Sequence, residues 1–185
     1  ASDVYKRQVY AMEEAGADLI ELGIPFSDPT AEGPVIQAAN VRALSGGVTT
    51  DKIFDMVRRI RQKTSIPMVF MTYANVVYSY GTERFAKAAA EIGMDGLILP
   101  DVPFEEKEEF AVPFKEQGLD FISLIAPTSH ERIAMIAKEA EGFGISEPKQ
   151  AKKMAAQSDG VIVGSAIVKL CENMEQIVSH TFPHL

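Results

Sequence analysis

Glu21-Leu22-Gly23-Ile24-Pro25-Phe26-Ser27-Asp28-Pro29-Thr30-Ala31-Glu32-Gly33-Pro34 is the stretch on which the reading of this chain turns. An apolar run, Asp18 to Leu22, enters it as a strand, and a helix leaves it near Pro34. The loop between them holds two prolines before that helix, and carboxylates stand at both its ends. Loops that follow a strand and precede a helix are where α/β proteins keep their chemistry. Glu21 at the strand's end and Glu32 at the loop's end are therefore the first candidates for a site.

Outward from this loop the chain alternates. Val9 to Ala17 has helical apolar spacing and stops at Gly16. Val35 to Leu44 reads as an amphipathic helix ended by Gly46-Gly47. Thr49 or Thr50 can cap a helix from Asp51 to Lys63, with Ile53, Phe54, Val57 and Ile60 on one stripe. Pro67 to Thr72 is a continuous apolar run, as in a strand covered on both faces. Further on come a helix over Glu83 to Ile92, a strand over Gly96 to Pro100, and an acidic helix over Phe104 to Gln117 interrupted at Pro113. A strand over Asp120 to Ala126 follows. Thr128 and Glu131 have capping-box spacing for a helix running to about Ala140. Ser146 caps another helix with only the glycine turn Glu141-Gly142-Phe143-Gly144 before it and no strand. Gly160 to Val163 is the last strand, and Ile167 onward is helical.

Single helices between strands predict parallel βαβ units. The fold class is α/β with about five parallel strands, beginning near Asp18, Pro67, Gly96, Asp120 and Gly160. The 185 residues suit one domain. A closed eight-stranded barrel takes about 250, so a barrel built from this chain is incomplete.

Charge and composition exclude several classes. A net charge of −8 with no basic run argues against nucleic acid, which needs a cationic footprint. No apolar run reaches the roughly 20 residues of a membrane helix. The polar opening A-S-D-V-Y-K-R-Q is unlike a secretory signal. Cys171 is the one cysteine, which rules out a disulfide framework and fits a reducing cytoplasm. His130, His180 and His184 have no metal-ligand spacing, so no metal or cofactor is expected.

Two readings stand for each candidate. Glu21 at the end of an apolar strand can be a general acid, because an apolar pocket keeps a carboxyl protonated nearer neutrality. It can equally be paired with a basic residue or a loop amide. Glu32 before Gly33-Pro34 can be catalytic or can simply satisfy a helix start. Asp28 before Pro29 reads first as a turn former. Gly164-Ser165 after the strand G-V-I-V offers helix-start amides and a hydroxyl to phosphate, as does the glycine turn at Gly142 and Gly144. Tyr73, in Tyr73-Ala74-Asn75, lines a pocket or fills the core.

At this point the residues resemble a known family. E-L-G-I-P-F-S-D-P-T-A-E-G-P-V-I-Q is similar to the signature of the tryptophan synthase alpha subunit family. The likeness continues in order through M-T-Y-A-N, L-P-D-V-P-F-E-E, G-F-G-I-S and G-V-I-V-G-S-A-I-V. The resemblance implies a TIM (β/α)8 barrel that cleaves indole-3-glycerol phosphate to indole and glyceraldehyde 3-phosphate in tryptophan biosynthesis. It gives Glu21 the acid/base role at indole C3, and Glu32, where many members carry Asp, the role at the indole nitrogen. It puts Tyr73 in the indole pocket and Gly144, Gly164 and Ser165 on the phosphate. Asp28 and Pro29 fall in the loop that meets the beta subunit in an αββα assembly. No metal or cofactor is implied.

The chain departs from the family in three places, one of them the C-terminal tail from Glu172. The family's first strand has no counterpart, and residues 1–8 read as a lead-in outside the likeness. Near Phe143 the family's strand, mobile loop, helix and strand are absent, and E-A-E-G-F runs directly into G-F-G-I-S. The expectation is one partial barrel domain over 1–185. Two rivals accompany the lyase. One is a non-catalytic remnant that binds the tryptophan synthase beta subunit. The other is a sugar-phosphate isomerase barrel, which leaves the Glu21 signature unexplained.

Overall fold

The structure, a computed structural model, describes residues 2–125, 140–142 and 167–169. It divides into two compact units, one of Ala1–Ala31 with Asn40–Ser123 and one of Glu32–Ala39 with Leu124–Leu185.

The first unit runs α1 (Ser2–Glu14), β1 (Ile20–Gly23), the end of α2 (Pro34–Ser45), α3 (Thr50–Ile60), β2 (Met68–Met71), α4 (Ala74–Tyr80), α5 (Thr82–Glu91), β3 (Gly96–Ile98), a 3-10 turn (Phe104–Glu106), α6 (Glu108–Glu116) and the first four residues of β4 (Asp120–Ile125). β1 to β4 lie side by side in chain order and all parallel, with Glu21 opposite Val69, Phe70 opposite Leu97, and Ile98 opposite Ile122. These are the first four predicted strands, the ends of β1 to β3 falling within two residues of the predicted ones and β4 beginning at Asp120 as predicted.

Register and burial together separate the two faces of this sheet. Ile20, Met68, Phe70 and Leu97 belong to one continuous core with Val9 of α1, Ile53, Phe54, Val57 and Ile60 of α3, Phe85 and Ala89 of α5, and Phe110 and Phe114 of α6. Leu22 and Phe121 pack against it. Side chains alternate along a strand, so Glu21, Val69, Met71, Gly96, Ile98 and Ile122 share the opposite face. The α3 stripe is the predicted one. Thr49 caps α3 by accepting from the amide of Lys52 at 3.3 Å.

Several elements differ from the sequence reading, each for a local reason. α1 starts at Ser2 and not Val9, because the Lys6-Arg7-Gln8 segment consists of strong helix formers that need no apolar stripe of their own. α2 has no buried residue, and Val41 is 63% exposed. Its apolar residues circle the helix axis and define no single face. α4 is unforeseen, since Val76 and Val77 are weak helix formers and its N-terminal support comes from Asp101 in the loop after β3. The helix break falls at Lys107, before α6, and Pro113 lies inside α6. There the ring removes one intrahelical donor, while Phe110 and Phe114 stay buried in the core.

The second unit contributes the start of α2, where the Gln37 side chain donates to the Glu32 carbonyl at 2.8 Å. It also contains β5 (Ala140–Gly142), where the sequence predicts a turn and no strand. Three residues are too few to show alternation, and such a strand is fixed by its surroundings. The capping box at Thr128 and Glu131, the helix capped by Ser146 and the strand at Gly160–Val163 lie outside the described residues. So do Gly144, Gly164 and Ser165. Residues 167–169 are helical, as expected.

Two polar contacts brace the first unit. Arg61 Nε donates to the Gly93 carbonyl at 2.6 Å, Nη1 to the Ile66 carbonyl, and Nη2 to Asp95 Oδ2 at 2.6 Å. Asp95 Oδ2 also accepts from the Met68 amide at 2.8 Å, at the start of β2. The Asp95 side chain is 53% exposed, so its ion pair contributes little. The two carbonyls, held by an Arg61 side chain only 16% exposed, carry the effect. Arg61→Ala is expected to cost about 2 kcal/mol, read as a lower urea midpoint with an unchanged slope.

Tyr80 joins α4 to α3 by donating its hydroxyl to Asp51 Oδ1 at 2.8 Å, while the Arg84 guanidinium lies 4.4 Å from its ring centre. Burial, then the hydrogen bond and charge of Asp51, raise its pKa above 10.0, with Arg84 acting in the opposite sense. In the pH range above 10 the unfolded chain has released this proton and the folded chain retains it. The stability it contributes is thus complete below pH 10 and lost as pH rises through the raised value. An alkaline absorbance titration should lose a late-ionising phenol in Tyr80→Phe, and that variant's stability should fall less steeply above pH 10.

Candidate active site

The long loop after β1 meets the carboxyl end of β2, and the residue after β2 that opens α4 is held by the turn after β3. Glu21 is half-buried in β1, opposite Val69 of β2, on the sheet face away from the helices that also carries Met71, Ile98, Asp120 and Ile122. Gly96 is required here by close approach. A Cβ at that position would lie 2.7 Å from the Asp120 carbonyl oxygen and 3.3 Å from Val69 Cγ1. Its absence lets β3 and β4 pair without a side chain filling the space beside Val69.

The loop is held against the end of β2. Ile24 donates its amide to the Met71 carbonyl at 2.9 Å, and its carbonyl accepts from Thr72 Oγ1 at 3.1 Å. Phe26 packs on the Tyr73 ring with centroids 5.2 Å apart. The Tyr73 hydroxyl accepts from the Ala31 amide at 3.0 Å. Behind Tyr73, both carboxylate oxygens of Asp101 accept from the Ala74 amide, at 3.1 and 3.2 Å, and satisfy the start of α4.

The predicted residues therefore divide. Glu21, Tyr73, Asp28 and Pro29 lie in the first unit, Glu21 in the sheet and Tyr73 at its edge beneath the loop. Asp28 is exposed at the loop's tip and accepts from the Ser27 hydroxyl, and Pro29 is half-buried. Glu32 is half-buried in the second unit, ahead of α2. The sequence reading assigned no role to Thr72 or Asp101. Their signal was available in M-T-Y-A-N and L-P-D-V-P, where polar residues end otherwise apolar strands.

Comparison with known proteins decides what this arrangement belongs to. The family profile described as tryptophan synthase alpha chain matches residues 2–143 and 139–182. The chain belongs to the tryptophan synthase alpha chain family. A curated tryptophan synthase alpha chain from Lacticaseibacillus casei is 40% identical over 209 aligned positions, covering 92% of this chain and 79% of the relative. That alignment is longer than the 185-residue chain, so it bridges internal segments that the relative has and this chain lacks. The two profile matches meet at residues 139–143, where the sequence reading puts the junction.

Solved structures agree. Tryptophan synthase subunit alpha from Legionella pneumophila superposes with a TM-score of 0.82 at 34% identity, covering 95% of this chain and 80% of that one. A chain of the tryptophan synthase a2b2 complex from Pyrococcus furiosus gives 0.82 at 30% identity, covering 96% and 91%. The fold is thus the TIM-barrel type of this family, whose described strands here form an open parallel sheet. Among the described residues no helix is long and apolar enough to cross a membrane.

Proposed function

We infer that this chain is the alpha-type lyase of tryptophan biosynthesis, cleaving indole-3-glycerol phosphate to indole and glyceraldehyde 3-phosphate. The observation that carries this is the family match running through the Glu21 loop, together with Glu21 on the sheet face away from the helix-packed core. The same match favours the lyase over a remnant that only binds a partner.

The chemistry is a retro-aldol cleavage. Glu21 delivers a proton to indole C3, which places positive charge on the ring N–H. The Glu32 carboxylate balances that charge, and its extra methylene relative to Asp shifts where it does so. Glu21, now a carboxylate, takes the side-chain hydroxyl proton as the bond between C3 and the hydroxyl-bearing carbon breaks, that carbon becoming the aldehyde carbonyl and the electron pair returning to the ring. Two carboxylates in different surroundings can divide this work without metal or cofactor. Tyr73 lines the indole pocket. Gly144, Gly164 and Ser165 hold the phosphate, so that binding energy spent far from the reacting carbon orients it. The exposed Asp28 and the half-buried Pro29 face the tryptophan synthase beta subunit in an αββα assembly. The composition and the lone Cys171 support a cytoplasmic location.

Indole release by the purified chain, with and without a tryptophan synthase beta subunit, tests the reading. Release that the partner stimulates is expected. An absence of indole in both arms overturns it.

A further inference from the structure

We propose that Thr72 and Tyr73 are positioning residues whose hydroxyls clamp the loop between β1 and α2 onto the carboxyl end of β2. This rests on the reading above, in which that loop serves the lyase reaction.

The loop is long and carries exposed residues at Ser27, Asp28, Thr30 and Ala31. Exposed segments with few buried contacts open readily. Here two consecutive residues hold it at its entry, middle and exit. At the entry, Thr72 Oγ1 donates to the Ile24 carbonyl at 3.1 Å, while the Ile24 amide already pairs with Met71. In the middle, Phe26 rests on the Tyr73 ring. At the exit, the Tyr73 oxygen accepts from the Ala31 amide at 3.0 Å.

The burial of the two residues shows why the hydroxyls matter. Thr72 and Tyr73 are each only 2% exposed. Valine and phenylalanine would fill the same space without the cost of taking a hydroxyl out of water. The hydroxyls are retained in a place where they are useful only as hydrogen-bonding groups, and the loop backbone takes one bond from each. The clamp is itself anchored, because the Thr72 amide donates to the Ile98 carbonyl at 3.2 Å and Asp101 holds the Ala74 amide.

Tyr73→Phe keeps the ring and removes the hydroxyl that accepts from the Ala31 amide at the loop's exit. The Ala31 amide should then exchange with solvent about tenfold faster by NMR. In the presence of the beta subunit, kcat for indole release should fall about 10–100-fold, because small displacements of reacting groups are costly. KM should stay within about threefold of the parent, because the aromatic surface is kept. Thr72→Val should lower kcat in the same way, and Thr72→Ser, which restores the donor, should recover most of it. Unchanged Ala31 exchange in Tyr73→Phe overturns the clamp. Faster exchange with full kcat, or a Thr72→Val loss that serine fails to rescue, overturns its role in catalysis. If the parent chain releases no indole, the lyase reading fails, and faster Ala31 exchange in Tyr73→Phe still supports the clamp.

Discussion

Replacing Glu21 with Gln is expected to lower indole release from indole-3-glycerol phosphate by about 10²–10⁴-fold, the range a positioned general acid supplies. Glutamine keeps the length and most of the hydrogen-bonding capacity of the side chain but has no proton to give. β1 should therefore still form, with Ile20 and Leu22 packing on the helix side as before. The loss should fall on kcat and on kcat/KM together, since the missing interaction belongs to the transition state. An isosteric change also separates chemistry from folding, so thermal unfolding should move little. Indole release by Glu21→Gln at the parent rate would remove Glu21 from the reaction.

The largest loss of stability is expected at Phe85. Its side chain is fully buried, with 0% exposure. Its ring centre lies 5.2 Å from Phe54, 5.6 Å from Tyr80, and 5.9 Å from both Phe70 and Phe114. One residue of α5 thus joins rings from α3, α4, β2 and α6. Phe85→Ala leaves a cavity with five elements around it and should cost about 3–5 kcal/mol. Native domains are stable by only about 5–15 kcal/mol, so this variant should be mostly unfolded well before the parent in urea. Phe85→Leu, nearer in volume, should cost clearly less. Equal midpoints for Phe85→Ala and the parent would show that these rings do not carry the core.

Most of the fold was legible because its determinants are local. The apolar runs of β1 to β4 and the stripe Ile53, Phe54, Val57 and Ile60 announce themselves by composition and spacing, and Thr49 announces its cap. Features that depend on distant partners were not legible. α4 relies on Asp101, from the loop after β3. β5 is too short to have a pattern of its own. For the site, the sequence pointed to Glu21 by its place at a strand end, and alternation with Ile20 and Leu22 set it on the opposite face. Which residues share that face required the register of four strands. Thr72 looked like the end of an apolar run, because its partner, the Ile24 carbonyl, is 48 residues away in sequence.

The two-faced sheet has a consequence for engineering. Its alternation assigns the aromatic layer around Phe85 and the carboxylate at Glu21 to opposite sides of a single layer of backbone. Residues that keep the chain folded and the residue proposed to do its chemistry are therefore independently adjustable. A library confined to Phe54, Phe70, Phe85 and Phe114 could be selected for heat tolerance alone, with activity following as an unselected trait.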